Sequence, residues 1–362
     1  KRDVAEKIRR ARLGGKTNFM IVVAEGAASA VEVGKKIHEE LGLDPRVTIL
    51  GHIQRGGSPT CRDRVYASMM GAKAVELLSN GTVSAVLGWK KGEFDYDITP
   101  AVFTTEEEIN NGFVYNDFCG ANLSKYLLKK TREIRGKILV FLKPCDTYSF
   151  NQLLTEHRIH RENAYVIGVP CNGMADIHSI RKITGEGIAR VELTDSGLLV
   201  HTLYDDAPVA VSYEDAMADR CKTCKSKKHV AYDELLGEEG DVLDSHRFDE
   251  VAKLEAMTPD ERFAFWQGEL SRCIRCNACR DVCPACTCEK CVFDNPDSGV
   301  ENKAPGGDFE EKMFHIIRAF HVAGRCTDCG ECSRVCPQNI PLHLLNRKFI
   351  KDINAFYGDY QA

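Results

Sequence analysis

Eleven of the 17 cysteines in this chain lie between Cys273 and Cys336, in two groups whose members are one to three residues apart. Disulfides would be spread differently. An odd total with repeated CxxC spacing argues for thiolates held by metal rather than for an oxidised secreted framework. In the first group Cys273, Cys276, Cys279 and Cys283 are followed by Pro284, giving C-x2-C-x2-C-x3-C-P; Cys326, Cys329, Cys332, Cys336 and Pro337 repeat the pattern. Three closely spaced thiolates of such a run wrap one cubane, while the fourth, beyond the turn, reaches the other cluster. The expected ligand sets are Cys273, Cys276, Cys279 and Cys336 for one 4Fe–4S cluster, and Cys326, Cys329, Cys332 and Cys283 for the second. Two zinc sites would be satisfied by two CxxC pairs per metal and would not explain the x3-C-P endings. Cubanes sharing ligands in this way sit close enough for electron tunnelling, which makes the segment a wire rather than a catalyst.

Other cysteines extend the pattern. Cys221 and Cys224 form a further CxxC that needs distant partners to close a site. Cys145 and Cys171 stand at the ends of two apolar strands, Ile138 to Leu142 and Tyr165 to Val169. Strand C-termini in α/β sheets converge on one edge, where sites form. These four cysteines are expected to hold a third 4Fe–4S cluster, the alternatives being a zinc knuckle with His229 or buried thiols. Cys286, Cys288 and Cys291 add C-x-C-x2-C, either a further metal site or extra thiols near the clusters.

Composition bounds the rest. With 43% hydrophobic and 28% charged residues the 362-residue chain is long enough for two or three globular domains, which excludes a disordered or fibrous protein. Basic and acidic residues number 48 and 53, a net −5, without a long basic block, so a nucleic-acid partner is not expected. Apolar runs such as Ile138 to Leu142 fall far short of the roughly 20 residues of a membrane span, and no signal peptide opens the chain, so a cytoplasmic protein is expected. Because the chain starts at Lys1 rather than Met, a fragment or trimmed product is also expected.

Along the chain, residues 1–80 read as alternating helix and strand. A basic helix runs from Val4 to Arg12, a strand from Phe19 to Ala24, a helix from Ala30 to Leu41 and a strand from Val47 to Leu50. A Gly-rich turn and a helix with Val65, Met69, Ala72, Val75 and Leu78 on one face follow. Residues 81–235 mix strands (Ala85 to Leu87, Ile138 to Leu142, Tyr165 to Val169) with helices such as Leu123 to Lys130. Residues 236–362 read as helical: Phe309, Met313, Ile316, Ile317 and Phe320 form a stripe introduced by Asp308 with Glu311 as cap. A polar Pro/Gly stretch from Asn295 to Gly307 reads as a loop. The fold expected is α/β in the N-terminal and central parts, followed by a mainly α-helical ferredoxin-type dicluster domain.

From about Val83 onward the strings VLGWKKG, TPAVFTTEEEI, DFCGANLSKYL, KPCD, IGVPCNGM, CKTC, ELSRCIRCNACRDVCPACTCEKC and HVAGRCTDCGECSRVCP resemble the iron–sulfur subunits related to the coenzyme F420 hydrogenase/dehydrogenase beta subunit. The long insertion between the two motifs resembles the α-helical ferredoxin domains of succinate-dehydrogenase and heterodisulfide-reductase type. The resemblance implies a redox subunit that passes electrons among clusters to partner subunits of hydrogenase, formate dehydrogenase or heterodisulfide-reductase-like complexes. In F420-using members it also implies a flavin. No GxGxxG fingerprint is found here, and flavin is left open. The usual N-terminal cysteine cluster of those subunits is missing, its place taken by the first 80 residues.

That first stretch carries Arg46-x4-Gly51-His52-x-Gln54-Arg55-Gly56-Gly57-x5-Asp63-Arg64, a full match to the phosphofructokinase signature, flanked by IVVAEGA and ASMMGAKAVELL. The Gly pair suits a tight turn, and arginine suits bidentate phosphate contact. The resemblance implies that Glu25, His52 and Arg55 bind fructose 6-phosphate and that Arg46 reaches the phosphate in a neighbouring subunit. The family's ATP loop and catalytic aspartate lie in a preceding lobe with no equivalent before Lys1, so phosphoryl transfer by this chain alone is not expected. Of the family's basic effector run only Lys16 matches. Both resemblances share a helix ending in Leu-Leu, a Gly and a strand near Leu78 to Val83, so a chimera joined there is expected. Amplifying the gene across codons 70 to 90 tests this, and an uninterrupted native frame with an upstream phosphofructokinase lobe would sink an artefactual splice. The main reading is thus an iron–sulfur electron-transfer subunit. The alternative is a fructose 6-phosphate enzyme or binding module needing a further lobe, and a zinc-stabilised scaffold is the weakest of the three.

Overall fold

A computed structural model describes residues 8–9, 12–13, 21, 23, 29–43, 45, 47, 61–94, 96–194, 197–205, 207–243, 246–295 and 308–359. The chain divides into two compact units, Lys1–Arg55 and Gly56–Ala362. In the first unit the helix Ala30–Leu41 forms as its sequence predicts. Ser29 accepts a hydrogen bond from the Glu32 amide at its start, and Gly42 ends it at φ 62°, a left-handed conformation that glycine adopts without steric cost. Ile8 and Arg9, and Arg12 and Leu13, are helical. The expected strands Phe19 to Ala24 and Val47 to Leu50 lie largely outside the described residues. Ile21, Val23 and Val47, which are described, are not in strand conformation.

The second unit opens with the helix Cys61–Ser79. Its buried face is Met70, Ala74 and Leu77, whereas Val65 and Met69 are exposed, so the apolar stripe expected from the sequence is rotated from the observed one. The strands are β1 (Ala85–Lys91), β2 (Ile98–Phe103), β3 (Ile138–Leu142), β4 (Ala164–Gly168), β5 (Ile188–Thr194), β6 (Gly197–Thr202), β7 (Val209–Ser212) and β8 (Glu234–Leu235). One sheet has the order β2-β1-β3-β4-β8, with β2 antiparallel to β1 and the other pairings parallel. Strands β5, β6 and β7 form a separate antiparallel sheet. All five residues of β3 are buried, which is why it reads as a continuous apolar run rather than an alternating one. Met70, Ala74 and Leu77 pack into the same core as Val140 and Val166.

After β8 the described residues are helical: Asp249–Ala256, Pro259–Leu270, Ala278–Asp281, Asp308–Val322, Glu331–Arg334 and Leu342–Tyr357, with a short 3-10 turn at Val292–Asp294. The expectation of α/β followed by a mainly helical region holds. Most of the expected loop from Asn295 to Gly307 lies outside the described residues, as do the side chains of the expected Asp308–Glu311 cap. The helix Asp308–Val322 is present, but it buries Phe314, His315, Arg318, Ala319 and Val322 and leaves Phe320 62% exposed. Two polar side chains thus occupy positions that a hydrophobic pattern assigns to the surface.

Candidate metal centres

The two motif copies fold alike. In each, the second residue after the first cysteine and the residue after the second cysteine have left-handed backbone: Arg275 (φ 54°) and Asn277 (φ 62°), Asp328 (φ 61°) and Gly330 (φ 67°). A short helix then carries the third cysteine, Ala278–Asp281 for Cys279 and Glu331–Arg334 for Cys332. Left-handed turns swing consecutive cysteine side chains to a common side, and their cost in non-glycine residues is the kind kept at ligand-binding sites. One cavity is lined by Cys273, Cys276, Cys279 and Cys336, together with Phe314, His315, Ile340 and Leu342. The fourth cysteine of the second motif therefore faces the first three of the first. Reciprocally, Cys283 packs with Cys326 against Val322. Its thiolate is among the charges that raise Cys326, Cys329 and Cys332, after burial itself.

The central cysteines meet at the C-terminal edge of the parallel sheet. β3 and β4 are neighbours in register, Leu142 opposite Gly168, so Lys143-Pro144-Cys145 and Pro170-Cys171 leave them side by side. The segment with Cys221 and Cys224 is brought to that edge by a bridge between Ala175 and Met217 and by the Ala218 amide, which donates to Met174 O at 2.9 Å. Cys145, Cys171, Cys221 and Cys224 line one cavity, which Cys329 of the second motif also borders. His229 is not a free ligand here: its Nδ1 is bonded to Glu239 (2.9 Å) and its Nε2 to Val169 O (3.1 Å).

Buried polar groups surround this cavity. Lys143, 1% exposed, pairs with Asp146 at 2.8 Å and donates to the carbonyls of Cys119 and Ala121. Arg220 donates to Cys329 O (2.5 Å), Glu331 (2.7 Å) and Gly120 O (3.0 Å), and Glu331 also accepts from Arg334. Ser149 and Thr327 share a hydrogen bond of 2.7 Å between the sheet region and the second motif. Despite its burial, Glu331 is held down to about 2 by Arg334 and Arg220. None of these residues was singled out in the sequence. Only their proximity to cysteines hints at them, because lone Lys, Arg and Glu ordinarily mark a solvated face.

Burial pushes Cys145 and Cys171 up, Cys279 to about 11 and Cys332 to about 12, so these thiols lie in surroundings that penalise an unpaired thiolate. Cys283 is the exception. A hydrogen bond from Cys286, and after it the charge of Arg318, outweighs burial and lowers it. Among the buried nitrogens without partners are both ring nitrogens of His315, which lines the first-motif cavity, Nε of Arg220 at the central one, and Nε of Arg318; others, on Trp89, Arg181 and Arg190, line neither cavity. The two arginine Nε–H groups and the one N–H of a neutral His315 are buried donors that require acceptors, and the sulfurs of an iron–sulfur cluster are such acceptors. The four-thiolate donor sets fit that group. Among the described residues no three of Cys, His, Asp and Glu converge closely enough to hold a single metal ion. Thiolates around a cubane stand farther apart than thiolates around zinc. Cys288 is exposed, and Cys286 and Cys291 are partly buried; Cys286 packs with Cys283, and Cys291 packs with the group around Phe293. Glu25, Arg46, His52 and Arg55 lie outside the described residues, as does Lys16.

A family model described as Phosphofructokinase matches residues 1–78, and one described as 4Fe-4S dicluster domain matches residues 269–340. ATP-dependent 6-phosphofructokinase 1 of Clostridium perfringens is 50% identical over 103 residues, and the Bacillus cytotoxicus ATP-dependent 6-phosphofructokinase is 48% identical over 101; each alignment takes in 28% of this chain. The chain spans only 32% of the length of these curated relatives. A chain of the F420-reducing NiFe hydrogenase complex from Methanosarcina barkeri aligns at a TM-score of 0.35 and 14% identity, covering 62% of this chain and 90% of that one, a likeness too slight to carry an argument. No helix among the described residues is long and apolar enough to cross a membrane. Two families meet in this chain: a phosphofructokinase segment at its N-terminus and a 4Fe–4S dicluster domain at its C-terminus.

Proposed function

We propose that this chain is an iron–sulfur electron-transfer subunit of an anaerobic oxidoreductase complex of hydrogenase, formate dehydrogenase or heterodisulfide-reductase-like type, acting in the cytoplasm with other redox subunits. Residues 236–362 supply two 4Fe–4S sites, Cys273, Cys276, Cys279 and Cys336 in one and Cys326, Cys329, Cys332 and Cys283 in the other. Residues 81–235, resembling the F420 hydrogenase/dehydrogenase beta subunit, supply a third at Cys145, Cys171, Cys221 and Cys224. The observation that carries this reading is the gathering of two assigned quartets around one cavity each, Cys273, Cys276, Cys279 and Cys336 around one and Cys145, Cys171, Cys221 and Cys224 around the other, with Cys283 of the first motif packed beside Cys326 of the second. The clusters supply one-electron chemistry, and the chain's residues hold, desolvate and order them. That Cys329 borders the central cavity supports an order of third, second, first along the electron path.

Anaerobically purified chain is expected to be brown, with broad absorbance near 400 nm and about eight to twelve irons with matching acid-labile sulfide per chain. A colourless, zinc-loaded preparation would overturn the reading. A second reading, a fructose 6-phosphate binding module in residues 1–80, is supported by the Phosphofructokinase match to residues 1–78. It predicts a rise in melting temperature with fructose 6-phosphate. No shift at saturating ligand would dismiss it.

A further inference from the structure

The helix Asp308–Val322 passes between the two C-terminal cysteine sets. Phe314 packs in the group that contains Cys273, Cys279, Cys332 and Cys336, and Val322 packs with Cys283 and Cys326. Arg318 lies between them in the helical series 314, 318, 322, four residues from each, on the same face. Its side chain is almost wholly buried, at 4% exposure. Nη2 donates to Cys279 O at 2.8 Å, and Nε is buried without a partner. The titratable groups that act most strongly on it are the thiols of Cys283, Cys332, Cys279 and Cys286. No carboxylate pairs with it among the described residues, in contrast to Arg220 and Arg334, which share Glu331. A guanidinium removed from water with no anion opposite costs several kcal/mol, and the fold tolerates it only where an anion is supplied.

We propose that Arg318 is the shared counter-cation of the two C-terminal cluster sites, aimed by its helix at the gap between first-site ligand Cys279 and second-site ligands Cys283 and Cys332, and that it raises the reduction potential of both. The inference rests on the cluster reading above. A thiolate-ligated cubane is a net anion that becomes more negative when it takes an electron, so a fixed buried cation stabilises the reduced form more than the oxidised one. An N–H aimed at a cluster sulfur acts in the same direction. One arginine placed between two sites does so for both, and it lessens the repulsion when both are reduced. Lysine would keep the charge and lose the planar fork; glutamine would keep a donor and lose the charge.

The test is an EPR-monitored redox titration of the anaerobically purified full chain, reduced with dithionite, as wild type, Arg318→Gln and Arg318→Lys. In the glutamine variant the oxidised-to-reduced ratio of the first and second clusters at a fixed poise is expected to rise about tenfold, equivalent to about 59 mV for one electron. The third cluster should not move, and the lysine variant should recover most of the shift. Unmoved potentials, an equal shift at all three clusters, or a lysine variant displaced as far as the glutamine one would each overturn the assignment. If the glutamine variant assembles less iron, a loss confined to the first and second signals supports the role, and a uniform loss refutes it. A wild-type chain without iron and sulfide would sink the cluster reading itself. Intact clusters with unchanged potentials would sink only the role of Arg318.

Discussion

Glu156 and Arg325 join the helix Pro144–Thr155 to the residue that precedes Cys326. Arg325 Nε donates to Glu156 at 2.7 Å, and its Nη2 donates to the other carboxylate oxygen. Burial raises the Glu156 carboxyl, but the hydrogen bonds from Arg325 and Gln152 and the charges of Arg325 and Arg158 together outweigh it, so the folded value lies below the ordinary 4.5. A group depressed in the folded state contributes stability above its unfolded pKa and loses it as pH falls through the folded one. Glu156→Gln is therefore expected to cost about 1 kcal/mol at pH 7, after allowing for partial solvent screening. The gap to wild type should narrow once pH falls below about 4.5. Anaerobic urea denaturation at a series of pH values measures this, and a gap constant with pH would contradict it. The dicluster domain was legible in the sequence because the cysteine spacing is itself the chemistry. Arg318, Arg220, Lys143, Glu331 and His315 were not, because they are buried by partners far away in sequence, which a single-sequence pattern does not contain.

At the scale of elements, the two cysteine motifs reach one backbone path with different residues. Position 277 is Asn where position 330 is Gly, and both are left-handed. Gly330 has a second reason: a Cβ there would stand 2.5 Å from Arg220 Cδ and 2.7 Å from its Cβ. Gly330→Ala is expected to destabilise by about 1–3 kcal/mol, from the left-handed conformation together with displacement of Arg220. Asn277→Gly should be close to neutral. Thermal denaturation of the two variants decides it, and equal effects would mean that the Arg220 contact contributes nothing. β3 was readable from sequence to the residue because a fully buried parallel strand is a plain apolar run. The helices Cys61–Ser79 and Asp308–Val322 were readable in place but not in orientation. In the first, alanine and methionine recur often enough to suit more than one stripe. In the second, His315 and Arg318 sit on the buried side.

The sheet also bears on how two families share the molecule. Residues of the phosphofructokinase match, Met70, Ala74 and Leu77, are buried against β-strand residues that lie beyond it, and β1 pairs with β3 in parallel register, Val86 opposite Leu139. The join suggested by the sequence thus falls inside a packed core. Met70, with no exposed surface, is the sharpest probe of it. Met70→Ala is expected to cost about 2–5 kcal/mol, read as a lower urea midpoint. A cost below about 1 kcal/mol would mean that the helix only rests on the sheet.

The whole second unit has two kinds of interior. Around β1, β3 and β4 the core is built of aliphatic and aromatic side chains, with Trp89, Phe141 and Phe150 fully buried. Around the C-terminal helices a large share of the core is cysteine: Cys273, Cys279, Cys332 and Cys336 in one group, Cys283, Cys286 and Cys326 in the other. An interior whose packing groups are also metal ligands draws folding free energy from the metal, because ligand thiols and buried cations are left uncompensated without it. Stripping iron with a chelator under oxidising conditions, followed by reduction of the thiols, is therefore expected to unfold residues 269–357 while the parallel sheet persists. Hydrogen exchange should show amide protection falling to that of an open chain in the helices Asp308–Val322 and Leu342–Tyr357 and remaining in β1, β3 and β4. Loss of protection in both regions together would mean that Arg220, Glu331 and the Ser149–Thr327 bond weld the two interiors into one cooperative unit. Retention in both would mean that the helices hold without metal, contrary to what their cysteine-rich core implies.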